Sequence, residues 1–182
     1  MNPPSMSAEM PLPRADQFLQ AVSWLSDRLG TSTAPVVDLA YLRSLPVGTF
    51  GRAWADHLDE AGLAPLNYGP RRQQLHDGIH VLTGYGTDPL GEAEVQAFLL
   101  GAKFRLIHGA LMLGLLRGVR QQWQWGQLPL TAYQVRQRLR QAHQRGVQSQ
   151  FDPDRWQPEA LWSQPLPRVQ QRFGLRSMDK PA

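Results

Sequence analysis

Cysteine is absent from the 182 residues. That one absence excludes disulfides, thiolate metal sites and cysteine nucleophiles together, and it agrees with a reducing compartment. Lysine is almost absent too: Lys103 and Lys180 are the only two, so arginine carries the formal charge of +4. A mildly basic balance favours anionic lipid headgroups or phosphates as neighbours and is silent on fold. No helix-turn-helix, RNP or zinc-finger pattern accompanies the basic stretches, so nucleic acid is not an expected partner. Long apolar runs are also lacking. The longest uninterrupted apolar or small stretch, Gly109 to Leu116, is short of the ~20 residues a membrane span needs, and Lys103, Arg105 and His108 precede it. No basic n-region with an apolar signal-length run stands before Ala15. Internal repeats and strand-type alternation are missing as well, which leaves an all-α chain of one domain's size.

Histidine is sparse, five in all, yet two lie within the stretch from His76 to Glu92. On a helix running from about Arg71, His76 and His80 are four apart and share a face, with Asp77 about 100° round from His76. Glu92 would sit roughly 18 Å from His80 on an unbroken helix, too far for a shared ion. The helix is therefore expected to break at Gly84, Gly86, Pro89 and Gly91, allowing the chain to fold back and bring the carboxylate over the imidazoles. The expected ligand set is His76, Asp77, His80 and Glu92. Two imidazoles with carboxylates suit a divalent metal, Zn²⁺ first, with Fe²⁺ or Mn²⁺ also accepted. The alternative is a polar cluster on a helix face with no ion, Asp77 merely orienting a histidine.

In chain order, residues 1–14 hold four prolines and are expected to be a disordered lead, and 15–176 to form a single domain, with 177–182 frayed. Apolar periodicity predicts a core helix over Asp16 to Leu29 and a second apolar stretch over Val36 to Leu45. Thr49 is placed to N-cap a helix carrying Arg52, Trp54, His57 and Leu58, closed by Gly62. His57 reads as a surface or core histidine. The turn Gly48, Thr49, Gly51, Arg52 has two readings: amide N–H groups and an arginine offered to a phosphate or other anion, or an ordinary capped turn. Glu92 to about Arg120 is expected to be one long, central, buried helix rich in small residues. Its glycines, Gly101 and Gly109 among them, serve either close helix packing or room for a long apolar ligand. An arginine-rich helix over Thr131 to Gly146 after Trp123 and Trp125 suits a solvated face or a membrane surface. A short helix from about Pro165 completes a compact bundle of about six or seven helices.

HDxxH followed by eleven residues and Glu is the signature of the coenzyme Q (ubiquinone) biosynthesis Coq-four family, and the chain resembles that family over most of its length. The segment Leu42 to Leu63 is similar to the family's Pro-x-Gly-Thr-Leu-Gly-Arg entry into a helix, with Phe50 in place of Leu, and Trp162 to Leu175 is similar to its closing pattern. The resemblance implies a metal held by His76, Asp77, His80 and Glu92, and a role in replacing the C1 carboxyl of a prenylated 4-hydroxybenzoate-derived ring with a hydroxyl, with Asp77 and His80 in the chemistry. It implies a prenylated quinone-precursor lipid as ligand, its tail passing the small residues Gly101 and Gly109. It also implies other quinone-biosynthesis proteins, a membrane surface and a second copy of the chain as partners. The organelle-targeting leader of eukaryotic relatives is not seen, so a bacterial-type protein peripheral to the cytoplasmic membrane is expected. Two rival classes remain: a non-catalytic prenyl-lipid carrier or scaffold with a structural metal, and a metallohydrolase in which Asp77 takes the base position of an HExxH helix.

Overall fold

The computed structural model describes residues 33–104, 106–124 and 129–175, with the backbone alone at 106–111 and 123. The expected lead, the Asp16 to Leu29 helix, Trp125 and the 177–182 tail lie outside the described residues. Within them are eight α-helices: α1 (Leu39–Ser44), α2 (Phe50–Ala61), α3 (Arg71–Gln74), α4 (His76–Thr83), α5 (Pro89–Ala102), α6 (Leu106–Gln124), α7 (Ala132–Gln148) and α8 (Leu166–Arg172), plus a 3-10 turn at Pro158–Ala160. The described residues hold no strand; Thr49 and Pro165 form an isolated bridge. The fold is an all-α bundle, and among the described residues no helix is long and apolar enough to cross a membrane.

Local chemistry sets the helix ends. Thr49 accepts a hydrogen bond from the Arg52 N–H, and Gly62 closes α2 at φ 64°, a conformation that costs glycine little. Thr131 and Gln134 exchange side-chain-to-backbone bonds at the start of α7, a capping box that satisfies two amides the helix itself cannot. The core joins Phe50, Trp54 and Leu58 of α2 to Ile79 and Leu82 of α4 and to Val95, Phe98 and Leu99 of α5. The irregular segment after α7 adds Phe151, Trp156 and Trp162, with the Trp54 and Trp156 rings parallel at 6.2 Å.

The expected single helix from Glu92 to Arg120 is two helices. Lys103 leaves α5 with φ −155° and ψ 108°, and its ammonium lies 2.9 Å from Asp152 and 2.8 Å from Asp154. The helix thus ends just where apolar periodicity would carry it on. The buried central helix is α5 alone, with Leu90, Ala93, Val95, Ala97, Phe98 and Leu99 all enclosed, while Leu113 on α6 is exposed. Together with the break at Leu75 between α3 and α4, this split takes the helix count past the six or seven expected.

Small residues in the core bring backbones together. A Cβ on Gly101 would lie 2.1 Å from the His143 carbonyl oxygen, and one on Gly146 would lie 2.1 Å from that of Phe98. The backbones of α5 and α7 therefore touch at these two points, and no room for a lipid tail remains at Gly101. Gly109 falls on α6 where only the backbone is described. The anion reading of the Gly48 to Arg52 turn also gives way. The N–H of Phe50 donates to Gln164 O, that of Gly51 to Trp162 O, and that of Arg52 to Thr49 Oγ1, so the first turn of α2 has no amide left for a phosphate. Arg52 itself is turned onto Asp56 at 2.7 Å.

Replacing Gly146 with Ala should cost about 1–3 kcal/mol, because a methyl cannot fit without parting α5 from α7. Gly118→Ala, whose new Cβ would meet Pro89 at an ordinary 3.6 Å, should instead stabilise by up to about 1 kcal/mol. Urea unfolding of the two variants checks the contrast; equal behaviour would contradict the close packing.

Candidate metal centre

Helix α4 carries His76 and His80 one turn apart, so their rings meet edge to face with centroids 4.8 Å apart. Trp54 fixes where this helix sits: its ring occupies the space over Gly78, where a Cβ would come within 2.4 Å, so any larger residue there would push α4 off α2. The helix stops at Gly84, whose φ of 80° turns the chain and whose N–H reaches His80 O at 2.7 Å. Asp88 then opens α5 by accepting from the N–H groups of Leu90 and Gly91, with Pro89 pre-set in the first turn. Gly91 lets the Gly86 carbonyl lie against the new helix. Glu92 follows at once, returned to the imidazoles by the predicted reversal.

Three side chains converge, one ligand atom from each lying within 4.8 Å of the others. His76 Nε2 is 3.0 Å from Glu92 Oε2, His80 Nε2 is 3.1 Å from Glu92 Oε1, and the two Nε2 atoms are 3.1 Å apart. His80 Nδ1 lies 3.2 Å from the carbonyl of Tyr85, which can only accept, so Nδ1 carries the proton and the Nε2 lone pair of the neutral ring faces the cluster. Such a backbone bond on the far nitrogen is how ligating histidines are oriented. The turn is braced by α7: Arg145 donates to Thr83 O at 2.6 Å and lies 5.3 Å over the Tyr85 ring. Electron-rich atoms this close need a proton or a cation among them, and imidazole with carboxylate is the donor chemistry of divalent-metal sites. The donor set fits a divalent cation. Asp77, half-buried on the same turn of α4, is not part of this group of three.

Electrostatics follow from the geometry. Burial pushes the Glu92 carboxyl up, but hydrogen bonds and positive charge from His76 and His80 outweigh it and hold the group at about 2. Burial pulls His80 down, and the Glu92 hydrogen bond and charge, the Tyr85 carbonyl and Asp77 together raise it. Burial raises Asp77 against the pull of His76, His80 and His57. His57 is lowered, by burial and then by His80. It stacks almost parallel on His80, with centroids 5.9 Å apart. Sequence reasoning left His57 aside, did not single out Tyr85, and placed Arg145 with Arg136, Arg138 and Arg140 on a helix suited to a solvated face or a membrane surface. None of the three belongs to a local motif, and only tertiary contact brings them to the site.

Fold and site together define an all-α protein with a two-histidine, one-carboxylate cluster where one helix hands over to the next. The chain is homologous over about half its length to COQ4 ubiquinone biosynthesis proteins. It is 34% identical over 100 residues to the mitochondrial COQ4 homolog of Bos taurus, an alignment taking in 47% of this chain and 35% of the bovine one. It is 33% identical to the Homo sapiens homolog, with the same shares. It is 32% identical over 80 residues to the Podospora anserina COQ4 protein, 36% of this chain and 27% of that one. The chain thus spans about a third of the length of the curated relatives it matches. No family model matches it. Its fold is also that of a Nostoc punctiforme protein, provisionally described as a ubiquinone biosynthesis protein, whose crystal structure superposes with a TM-score of 0.60 at 19% identity, covering 89% of this chain and 79% of that one.

In the metal-free protein the stabilisation from Glu92, depressed from 4.5 to about 2, is complete above 4.5 and lost as pH falls toward 2. That from His80, raised above 6.5, is complete below 6.5 and lost as pH rises through its folded value. The cluster should therefore stabilise the metal-free protein most between 4.5 and 6.5. A divalent ion needs both imidazoles deprotonated, so added Zn²⁺ should raise Tm more at about pH 8 than at about pH 5.5. Thermal melts with and without Zn²⁺ at the two pH values decide this, and an equal gain at both would contradict it.

Proposed function

We propose that this protein acts in ubiquinone biosynthesis, on the ring of a prenylated 4-hydroxybenzoate-derived precursor, with a divalent metal held by His76, His80 and Glu92. The observation that carries the reading is the convergence of those three donors, from two helices, within hydrogen-bond distance of one another in a chain homologous to COQ4 proteins. Three protein donors, not four, leave coordination positions for substrate, as in zinc enzymes and in the facial two-histidine, one-carboxylate sites of iron. When bound, the ion supplies Lewis acidity toward a ring carboxylate or phenolate. The overall change would exchange the C1 carboxyl for a hydroxyl: water supplies the hydroxyl oxygen, carbon dioxide leaves, and dioxygen takes the two electrons and two protons released and departs as hydrogen peroxide.

The chain's own residues have distinct parts. His80 is oriented by the Tyr85 carbonyl, Glu92 neutralises charge between the imidazoles, and Asp77 adds negative potential that favours a cation without entering the group of three. A prenyl tail, the neighbouring biosynthetic enzymes, a second copy of the chain and residence at a membrane surface complete the proposal. Exposed Phe104 and Leu113, beside and on α6, supply an apolar edge suited to the last of these.

Elemental mass spectrometry of the wild type beside His80→Ala, with native mass spectrometry for co-purified lipid, tests the reading. One equivalent of metal should be present in the wild type and lost in the variant. A His80→Ala protein that keeps both metal and activity would sink the assignment, and a wild type that retains prenyl lipid with no metal would make the protein a carrier instead.

A further inference from the structure

The carbonyl that aims His80 lies in the freest backbone of the site. It belongs to Tyr85, which stands between Gly84 and Gly86, past the end of α4 and ahead of α5. Glycine on either side leaves the peptide conformationally open, yet a ligating imidazole needs its far nitrogen held firmly. On the far side the Gly86 carbonyl rests against Gly91. On the near side the hold falls to the tyrosine side chain, which is buried at 5% exposure. Arg145 of α7 grips it: the guanidinium lies 5.3 Å over the ring and hydrogen-bonds the phenol. The same group donates to Thr83 O at 2.6 Å. One planar fork thus pins the chain on both sides of Gly84.

A cationic side chain on the last carbonyls of a helix is by itself only a cap. Helix α4 has a second side-chain donor at the same end, since Gln170 of α8 bonds Leu82 O at 3.1 Å. The two differ in reach. Gln170 takes a carbonyl ahead of Gly84, whereas Arg145 takes the carbonyl just before Gly84 and the side chain just after it. We propose that Arg145 is a positioning residue of the metal centre, acting through Tyr85: by pinning Tyr85 across Gly84 it aims the Tyr85 carbonyl at His80 Nδ1, and so His80 Nε2 at the ion. The inference rests on the metal reading above, yet it can fail separately from it, and it requires no contact between Arg145 and the ion.

The test compares variants of the full chain by Zn²⁺ affinity from chelator competition, by Tm of the metal-free protein, and by water exchange of the His80 ring proton in nitrogen-15 NMR. Arg145→Lys keeps the charge and can still cap Thr83 O, but an ammonium lacks the fork that also holds Tyr85. It should melt near wild type and bind Zn²⁺ about tenfold more weakly, the low end of the losses for groups that orient a metal ligand. Tyr85→Phe, which removes the hydroxyl and keeps the carbonyl, should lose a similar factor. The double variant should lose no more than either alone, because both act along one chain of contacts. In each of these the Nδ1 proton of His80 should exchange with water faster than in wild type. Gln170→Met should do the reverse, lowering Tm while leaving Zn²⁺ affinity and the ring proton unchanged. Wild-type Zn²⁺ affinity in Arg145→Lys would reduce Arg145 to a helix cap; additive losses in the double variant, or an equal loss in Gln170→Met, would also overturn the proposal. Where Arg145→Lys does not fold, Tyr85→Phe decides alone, wild-type affinity and exchange counting against it. A wild type that binds no Zn²⁺ would defeat the metal reading, and the ring-proton exchange of the metal-free proteins would still decide whether Arg145 aims His80.

Discussion

A carboxylate held between two imidazoles is the constraint from which the middle of this molecule follows. Glu92 can reach His76 and His80 only if the chain reverses within a few residues, and the stretch from Gly84 to Gly91 supplies what such a reversal needs. It has a left-handed helix end at Gly84, an aspartate that caps the next helix, and a glycine where two backbones touch. Around that reversal the neighbouring helices act as buttresses. Trp54 of α2 sets the height of α4 through Gly78, and Arg145 of α7 holds the Thr83 carbonyl just before the turn. The donors sit on helices, and the loop between them is short and braced.

The arginines look different once placed. As a sequence, α7 presents a basic helix suited to a lipid surface. In the fold, Arg138 is turned inward onto Glu94 in a two-point contact, with Nε 2.8 Å from Oε1, and Arg145 is spent on Thr83 O. Glu94 is itself buried at 3% exposure, so Arg138 is the partner that makes its burial tolerable. Half of the charge that suggested an outside surface ties α7 to the centre, while Arg136 and Arg140 remain on the outer face.

How much of this could be read from the residues depends on whether the signal is local. Thr49, Gly62 and Thr131 mark helix ends through their own backbone neighbours, and all three were legible. So was the pairing of His76 with His80, which needs only the helical period, and so was the reversal that returns Glu92. The break at Lys103 was not, because the apolar residues recur on both sides of it and no proline or helix-closing glycine marks it. The anion role imagined for the Gly48 to Arg52 turn failed because the carbonyls of Trp162 and Gln164 had already taken its amides. His57 carried no motif at all. Its place against His80 is a property of how α2 docks, and sequence spacing does not record docking.

The carbonyls of Trp162 and Gln164 at the start of α2 also order events in time. Helix α2 carries Trp54 and His57, yet its first amides are satisfied by residues more than 110 positions later in the chain. During synthesis that helix end stays open to water until Gln164 has cleared the ribosome, and α4 lacks its fully seated neighbour until then. The two histidines of the cluster thus precede in the chain the segment that closes the first turn of the helix backing them.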